Sequence, residues 1–383
     1  MNYYKKDEIV VAGVGDSDYR SLYSTRKESK NYPMTLTYQA FKRALMDSGM
    51  TKDLIDGLVV VRAGSYIDIA RTLGIRPKWS VQLPSAGRMA GVAIIEAISA
   101  LMSGLCNNVA LVYSNVGRSS GDTYGAEDRW QGLWTFAGMT SPGAYWAMIY
   151  NRYMHEFAAG PESLADIAIT IRRHASMNPN AIMQKQITRD EYKSARFIAE
   201  PLRLYDYCLI NDGSVCIILT IKDNARKIAK QPVAISGFGI SNSFNQTYIT
   251  QDLVPVDYGE LQAKEAGGAA LKMANISRND IDALEIYDNF TPAVLFTLEN
   301  FGYTSRGKGA EFTEDGNIGI DGKLPVNTSG GHLSESYMQG WNHLVEAVRQ
   351  IRCEAGKRQI GRCDYIQYYC STPVATSIVF HSS

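Results

Sequence analysis

One succession of sequence patterns occurs twice in this chain, and that repetition constrains the fold more than any other feature. The stretch MTKDLIDGLVVVRA (50–63) is echoed by ISRNDIDALEIYDN (276–289), and GLCNNVALVYSN (104–115) is echoed by GRCDYIQYYCST (361–372). Both copies place short β-branched runs between helical patterns, which is typical of layered α/β folds. The economical interpretation is two copies of one β-α-β-α-β unit. The alternative is a chance similarity between ordinary α/β patterns.

A glycine-containing strand opens each copy and defines two halves. The segment EIVVAGVG (8–15) resembles VAISGFGI (233–240), and we interpret the glycines in both as a turn after the strand. The expected first half therefore covers 1–230 and the second half covers 231–383. Within the first half, the aromatic and polar stretch 116–230 is expected to be a loop insertion that packs over it and carries binding surface.

Composition excludes several classes of function. The chain has 39 basic and 39 acidic residues, so its formal charge is zero, and we expect no nucleic-acid partner. The longest apolar segment, 86–105, contains Arg88 and Glu96 and predicts a buried helix, with no membrane association and a cytoplasmic location. None of the six cysteines forms a CxxC pair and no HExxH is present, so we expect reduced thiols and no metal.

Two segments concentrate residues that could carry chemistry. The loop GKLPVNTSGGHLSESYMQG (322–340) places Gly331 and His332 before a helix, whose N–H groups can face an anion or a carbonyl oxygen. In EIYDNFTPAVLFTLENFGY (285–303) a strand ends at Tyr287, and strand ends are where α/β sheets bind ligands. The structural alternatives are a simple glycine turn, a solvated loop histidine and a tyrosine that only fills the strand end.

These residues resemble a known family. The loop NTSGGHLSESYMQG is similar to the NxSGGxxxxGHPxGxxG loop of thiolases, and YDNFTP is similar to HDCFT of the sterol-carrier-protein type of thiolase. The stretch ARFIAEPLRLYDYCLINDGSVCIILT (195–220) resembles RxIAxPLRLxDCCxxxDGAxAxxxT of the same branch. The resemblance extends over essentially the whole chain. It implies the thiolase fold, a duplicated five-layered αβαβα arrangement.

Departures from the thiolase pattern affect the residues that a thiolase needs. Counting back 17 residues from Gly104 puts Gly87 where the family has its nucleophilic cysteine. The two thiolase histidines correspond to Tyr337 and Tyr287, and only the C-terminal cysteine has a match, in Cys370. Because acyl exchange needs an activated nucleophile, ordinary thiolase chemistry is not expected.

This combination of changes resembles the thiolase-like aldolases of steroid side-chain breakdown. The resemblance implies retro-aldol cleavage of a β-hydroxyacyl-CoA to a ketone and a shorter acyl-CoA, with no cofactor. It implies Tyr287 and Tyr337 as acid and base in undecided order. Backbone N–H groups at Gly87 and in 329–332 are the candidate oxyanion hole.

Further residues and partners follow from the same resemblance. Asn289 and His332 are candidate substrate-binding residues, Cys370 is expected to be a buried lining residue, and Tyr248 is a weaker site candidate. The segment 121–142 is expected to line a substrate channel or a dimer contact, or simply to pack. The expected assembly is a homodimer with an OB-fold and zinc-ribbon protein partner.

Two other functions remain open on sequence grounds. One is an acyltransferase or condensing enzyme that uses Cys370 or a partner's residues. The other is a non-catalytic thiolase-like scaffold that binds a partner protein. A scaffold has no reason to carry tyrosine at both thiolase histidine positions, and a transferase would be expected to keep cysteine at position 87. These features favour the aldolase.

Overall fold

The chain folds around one mixed sheet of nine strands. The computed structural model describes residues 5–24, 31–85, 87, 89–122, 141–225, 230–242, 258–370 and 375–382. The nine strands, numbered in chain order, are β1 Ile9–Asp16, β2 Gly57–Val61, β3 Trp79–Leu83, β4 Asn108–Val116, β5 Asp212–Ile221, β6 Val233–Ser241, β7 Ala283–Ile286, β8 Tyr365–Cys370 and β9 Ala375–Ser382. A small separate pair is formed by Phe197–Ala199 and Leu202–Arg203.

In the described part of the chain, eight helices of seven residues or more pack around this sheet. They are α1 Pro33–Ser48, α2 Tyr66–Leu73, α3 Met89–Met102, α4 Pro142–Phe157, α5 Ala165–Met177, α6 Gly268–Ala274, α7 Thr291–Asn300 and α8 Trp341–Ile351. Shorter helical segments are Tyr19–Ser24, Lys52–Leu54, Gly117–Ser120, Pro161–Leu164, Arg189–Ser194, Leu204–Asp206, Lys222–Ala225, Glu260–Gln262, Arg278–Asp280, Gly309–Glu314 and Gly356–Arg358. Two wide π-helical turns cover Ala263–Gly267 and Gly331–Glu335.

The strand order repeats between the two halves. The sheet runs β3-β2-β4-β5-β1-β6-β9-β8-β7. From its centre outward, each half contains two antiparallel pairings followed by a parallel one: β1, β5, β4 and β2 on one side, and β6, β9, β8 and β7 on the other. The halves meet through two residue pairs of β1 and β6. This repeated topology confirms the duplicated α/β fold.

Helices α3 and α8 form the middle layer. Each contacts strands of both halves, and their buried side chains belong to one core cluster with strands of both halves. Helix α1 covers the other face of the first half, and α6 covers that of the second half. The sequence explains this placement, because α3 (MAGVAIIEAISALM) is apolar nearly all round and can be buried on both sides.

The opening glycines do not form the turn that the sequence suggested. Gly13 lies inside β1, where a Cβ atom would come within 2.4 Å of the Ala44 carbonyl oxygen of α1. Gly237 occupies the same place in β6, where a Cβ atom would come within 2.2 Å of the Ala270 carbonyl oxygen of α6. Glycine therefore lets a helix backbone lie directly on the strand in both halves. The turn interpretation was wrong, although the glycines do correspond.

The stretch 116–230 contains more than an insertion. Strand β5 lies inside it and pairs with both β1 and β4 at the centre of the first half-sheet. The irregular part, with α4 and α5, comes before β5. All six cysteines lie in the described part of the chain and are free thiols. Among the described helices, none has both the length and the apolar character needed to cross a bilayer.

Candidate functional site

The two tyrosines singled out by the sequence meet in the fold. The phenolic oxygens of Tyr287 and Tyr337 are 3.0 Å apart and share a hydrogen bond. Tyr287 follows the last residue of β7 and is only 4% exposed, whereas Tyr337 follows the turn Gly331–Glu335 and is half-buried. Burial, and then the neighbouring Tyr337, raise the pKa of Tyr287 well above its usual value. Tyr287 therefore keeps its proton at neutral pH.

Gly87 lies directly against this pair. A Cβ atom on Gly87 would come within 2.4 Å of the Tyr287 ring and within 2.5 Å of its hydroxyl oxygen. The tyrosine ring thus occupies the space where any side chain at position 87 would begin. In the thiolase resemblance this position belongs to the nucleophilic cysteine, whose side chain would collide with the Tyr287 ring here.

The backbone before Tyr287 is held by an amide side chain. Asn327 Oδ1 accepts a hydrogen bond from the Ile286 N–H at 2.7 Å, and Asn327 Nδ2 donates to the Ile286 carbonyl at 2.9 Å. This completely buried side chain therefore pairs with β7 as a neighbouring strand would. The strand end, and with it Tyr287, has a fixed position.

Tyr337 is held in the same way by a residue from the first half. Its N–H donates to Asn211 Oδ1 at 2.7 Å, and Asn211 Nδ2 donates to Ser336 Oγ at 2.7 Å. Asn211 is completely buried and directly precedes β5. The position of Tyr337 is thus set by a contact between the two halves.

Replacing Asn211 tests this contact. We expect Asn211→Ala to lower the free energy of unfolding by about 1–3 kcal/mol, because a buried N–H loses its acceptor. Tyr337 loses its anchor at the same time, so kcat should fall further than the stability change alone explains. Denaturant unfolding and steady-state kinetics on one preparation measure both effects. Unchanged kinetics in a destabilised variant would contradict the assignment.

Three of the four loop N–H groups in 329–332 that were expected to form an oxyanion hole already donate hydrogen bonds within the protein. Gly330 donates to the Asn327 carbonyl, Gly331 to Ser329 Oγ at 3.3 Å, and His332 to Asp288 Oδ1 at 2.8 Å. Their acceptors lie within the protein and stabilise the turn itself. The N–H groups of Gly330, Gly331 and His332 are therefore not available to bind an oxyanion.

His332 is completely buried rather than solvated. Its ring packs edge-on against Tyr287 and Tyr337, with ring centroids 4.6 and 5.1 Å away. Burial, and then the charge of His343, lower its pKa well below the usual value, so the ring is neutral. Its Nε2 accepts a hydrogen bond from the Gly340 N–H at 2.9 Å, which places the ring proton on Nδ1. A solvated loop histidine, the alternative left open by the sequence, is excluded.

A second buried histidine carries charge behind the tyrosines. His343 Nδ1 lies 2.8 Å from Glu285 Oε2, and its Nε2 lies 3.0 Å from Asp288 Oδ1. Burial alone lowers the pKa of His343, but hydrogen bonds with both carboxylates outweigh it and raise the pKa to about 10. His343 is therefore an imidazolium between two carboxyl groups.

Asp288, His332 and His343 could be considered as metal ligands, because their donor atoms lie within 4.8 Å of one another. The protonation of the two histidines argues against this. The Nδ1 of His332, which lies 3.4 Å from Asp288 Oδ1, carries the ring proton. Both nitrogens of His343 point at carboxylates and so both carry protons. The cluster is held together by protons and does not fit a metal in this state.

A cavity of about 100 Å³ adjoins Tyr337 and is also lined by Asn289, Phe290 and Cys208. Asn289 Oδ1 is buried and has no hydrogen-bond partner among the described residues. Cys370, at the end of β8, is completely buried in the same core cluster as Tyr287. A groove of about 900 Å³ at the opposite ends of β2 and β3 contains none of the predicted site residues.

Two of the candidates that the sequence suggested fall wholly or largely outside the described residues. They are Tyr248 and most of 121–142. The sequence interpretation gave no role to Asp288, Asn211 or His343. The sequence could have indicated Asp288 as a site residue, because it directly follows Tyr287 at a strand end. Asn211 and His343 had none, because their partners lie 126 and 58 residues away along the chain.

The chain is similar to several known proteins. Residues 247–366 match the family model described as "Thiolase C-terminal domain-like". The chain is 31% identical to the "Steroid side-chain-cleaving aldolase" of Thermomonospora curvata, covering 89% of this chain and 90% of that protein. It is 30% identical to the "17-hydroxy-3-oxo-4-pregnene-20-carboxyl-CoA lyase" of Mycobacterium tuberculosis, covering 90% and 92%. The solved "Ltp2-ChsH2(DUF35) aldolase" superposes with a TM-score of 0.87 and 29% identity over 98% of both chains.

Proposed function

The chain belongs to the thiolase superfamily, in the branch that contains the steroid side-chain-cleaving aldolases, and from this premise we propose that it cleaves a β-hydroxyacyl-CoA into a ketone and a shorter acyl-CoA by a retro-aldol reaction. The observation that carries the proposal is the 3.0 Å contact between the Tyr287 and Tyr337 oxygens beside Gly87. No covalent intermediate is needed, so the absence of cysteine at position 87 is no obstacle. The related lyase favours a 17-hydroxy steroid with a CoA-linked side chain as substrate.

The environments of the two tyrosines support different roles. Tyr337 lines the cavity and is the candidate base, which as a phenolate removes the proton of the β-hydroxyl group. Tyr287 retains its proton, and its hydroxyl can stabilise negative charge on the Tyr337 oxygen by donating a hydrogen bond.

The two tyrosines together can accept and return the one proton that the reaction moves. As the O–H proton moves to Tyr337, the Cα–Cβ bond breaks, the β-carbon becomes the ketone and the bonding electrons form a thioester enolate. Tyr287 then protonates the enolate carbon and becomes the phenolate. Proton transfer from Tyr337 to Tyr287 across their hydrogen bond restores the starting state. No cofactor is required in this scheme.

A cleavage assay tests the proposal. The purified chain is mixed with a 17-hydroxy steroid carrying a C22 side-chain CoA thioester, alone and with candidate OB-fold and zinc-ribbon partners. We expect equimolar ketone and shorter acyl-CoA. If no candidate substrate is cleaved with any partner, the scaffold alternative is favoured. Mass spectrometry that finds an acyl group on Cys370 would instead support the transferase.

We also propose a homodimer that pairs through the free edge of β3. Among the described strands, only β2 pairs with β3, and the side chains of β3 are only partly buried. An edge strand presents unpaired N–H and C=O groups that a second copy can complete. The solved aldolase complex supports an additional partner of the ChsH2 type.

The variant Val81→Pro tests the dimer. Proline removes a backbone donor in the middle of β3. We expect light scattering to show the mass of two chains for the original protein and of one chain for the variant. Leu105→Ala, at an exposed position outside the sheet, is the control. A variant that remains dimeric would place the contact elsewhere.

A further inference from the structure

A buried array behind the tyrosines joins three segments of the second half. Asp288 follows the end of β7, His332 belongs to the turn Gly331–Glu335, and His343 lies in the first turn of α8. Asp288 Oδ1 accepts the His332 N–H at 2.8 Å and contacts His343 Nε2 at 3.0 Å. One carboxylate oxygen therefore connects all three segments.

The far side of His343 is anchored as well. Its Nδ1 contacts Glu285 Oε2 at 2.8 Å, and Glu285 Oε1 accepts from the Thr328 N–H and Oγ1, both at 3.2 Å. Glu285, Asp288 and His343 are each inaccessible to solvent. A buried, fully hydrogen-bonded charge array keeps its geometry, because removal of one partner leaves another buried charge uncompensated.

The array is next to both tyrosines. Tyr287 lies between the clamped Ile286 and Asp288, so its backbone is held on both sides. Tyr337 follows His332 by five residues, and the His332 ring contacts both tyrosine rings. Movement of Asp288 would therefore displace the strand end and the turn relative to each other.

We propose that His343 and Asp288 are positioning residues, which set the separation of the Tyr287 and Tyr337 oxygens by fixing the end of β7 to the turn Gly331–Glu335. Neither residue touches the reacting atoms. The inference rests on the proposed function for its kinetic consequence, but the geometry can be tested without activity.

The surroundings of His343 keep it charged. Its ring faces Glu285 and Asp288 of the β7 segment, His332 of the turn and Tyr368 of β8, whose ring centroid is 6.5 Å away. Glu346, one turn along α8, is neutralised by its ion pair with Arg358. The carboxylates raise the pKa of His343 from 6.5 to about 10, so the ring stays protonated over the physiological range.

The structure of His343→Gln tests the geometry directly. Glutamine is uncharged and cannot donate to both carboxylates in the way the imidazolium does. We expect the distance between the Tyr287 and Tyr337 oxygens to exceed hydrogen-bonding range in the crystal structure of this variant. An unchanged 3.0 Å distance would overturn the proposal, whether or not the chain has been shown to cleave any substrate.

Kinetics give the functional readout with a matched control. We expect His343→Gln to lower kcat by about 100-fold with little change in KM, since a misplacement near 1 Å has an effect of that size. Gln367→Met removes another completely buried polar side chain, from β8, that does not contact the array, and should keep kcat. A normal kcat in His343→Gln would overturn the proposal. Absence of cleavage by the unmodified protein would instead contradict the proposed function.

The pH dependence of stability supplies a third readout. A pKa higher in the folded than in the unfolded state means that the folded protein binds the proton more tightly. The contribution of His343 is therefore complete below pH 6.5 and is lost as the pH rises toward 10, and Glu285, whose pKa burial raises to about 7, is ionised over most of that range. We expect the denaturant midpoints of the original protein and His343→Gln to converge over this range. If His343→Gln fails to fold, Asp288→Asn, which keeps an acceptor for the His332 N–H, replaces it in all three measurements. A difference that grows with pH would overturn the charged array.

Discussion

Tyr287→Phe and Tyr337→Phe should each lower kcat for thioester cleavage by about 10²- to 10⁴-fold, the usual size of a general acid or base contribution. Each variant removes one oxygen of the 3.0 Å pair and leaves the ring in place. Because the two hydroxyls exchange one proton, the double variant should be hardly worse than either single one. Single-turnover measurements with the partner protein present would separate this loss from slow product release.

A buried tyrosine elsewhere provides the control for these variants. Tyr150 is completely buried in the other large core cluster and donates one hydrogen bond to the Gly160 carbonyl. Tyr150→Phe makes the same chemical change and should keep kcat. Cleavage that persists within threefold in both site variants would exclude tyrosine as acid and base while leaving the reaction itself intact.

Gly87→Ala adds a single methyl group and is expected to lower both stability and kcat strongly. The added methyl group would lie 2.4 Å from the Tyr287 ring, so the ring must move. Overpacking of this kind lowers the free energy of unfolding by about 1–3 kcal/mol. A displacement near 1 Å at the reacting oxygen lowers the rate by about 100-fold. Melting curves and kcat on the same sample compare the two effects.

Gly268→Ala is the matched control, because a Cβ atom there meets nothing within 4 Å and the residue is helical. It should not reduce stability and should leave kcat unchanged. Combining Gly87→Ala with Tyr287→Leu should recover much of the stability without activity. If Gly87→Ala alone were fully active, the tyrosine ring could not lie against position 87.

The features that could be predicted are those that appear in the amino-acid sequence as a repeated order of elements or as a contiguous motif. The duplicated α/β order and the pair Tyr287 and Tyr337 were found because both copies of the pattern, and both family motifs, are contiguous in the chain. The sequence analysis did not predict edge strand β3, because polar and apolar residues alternate only weakly in WSVQL and the strand is only partly buried. The strand glycines were misinterpreted because a glycine under a helix and a glycine in a turn look alike in one sequence.

The supporting residues of the site could not be predicted for a physical reason. His343 shares the buried face of α8 with other polar residues, Glu346 and Gln350 among them, and sequence alone cannot distinguish a neutral ring there from a charged one. Its charge depends on Glu285 and Asp288, 58 and 55 residues away along the chain. Asn211 likewise acts on Tyr337 across 126 residues. Only the folded chain brings such partners together.

The contact between Gly87 and Tyr287 also restricts how one chemistry can change into the other. A thiol at position 87 and a phenol at position 287 would compete for the same volume. A chain that acquired only one of the two exchanges would either lack a nucleophile or have a crowded site. A cysteine at position 87 of this chain therefore needs a smaller side chain at position 287, and Gly87→Cys alone should give neither acyl exchange nor aldol cleavage.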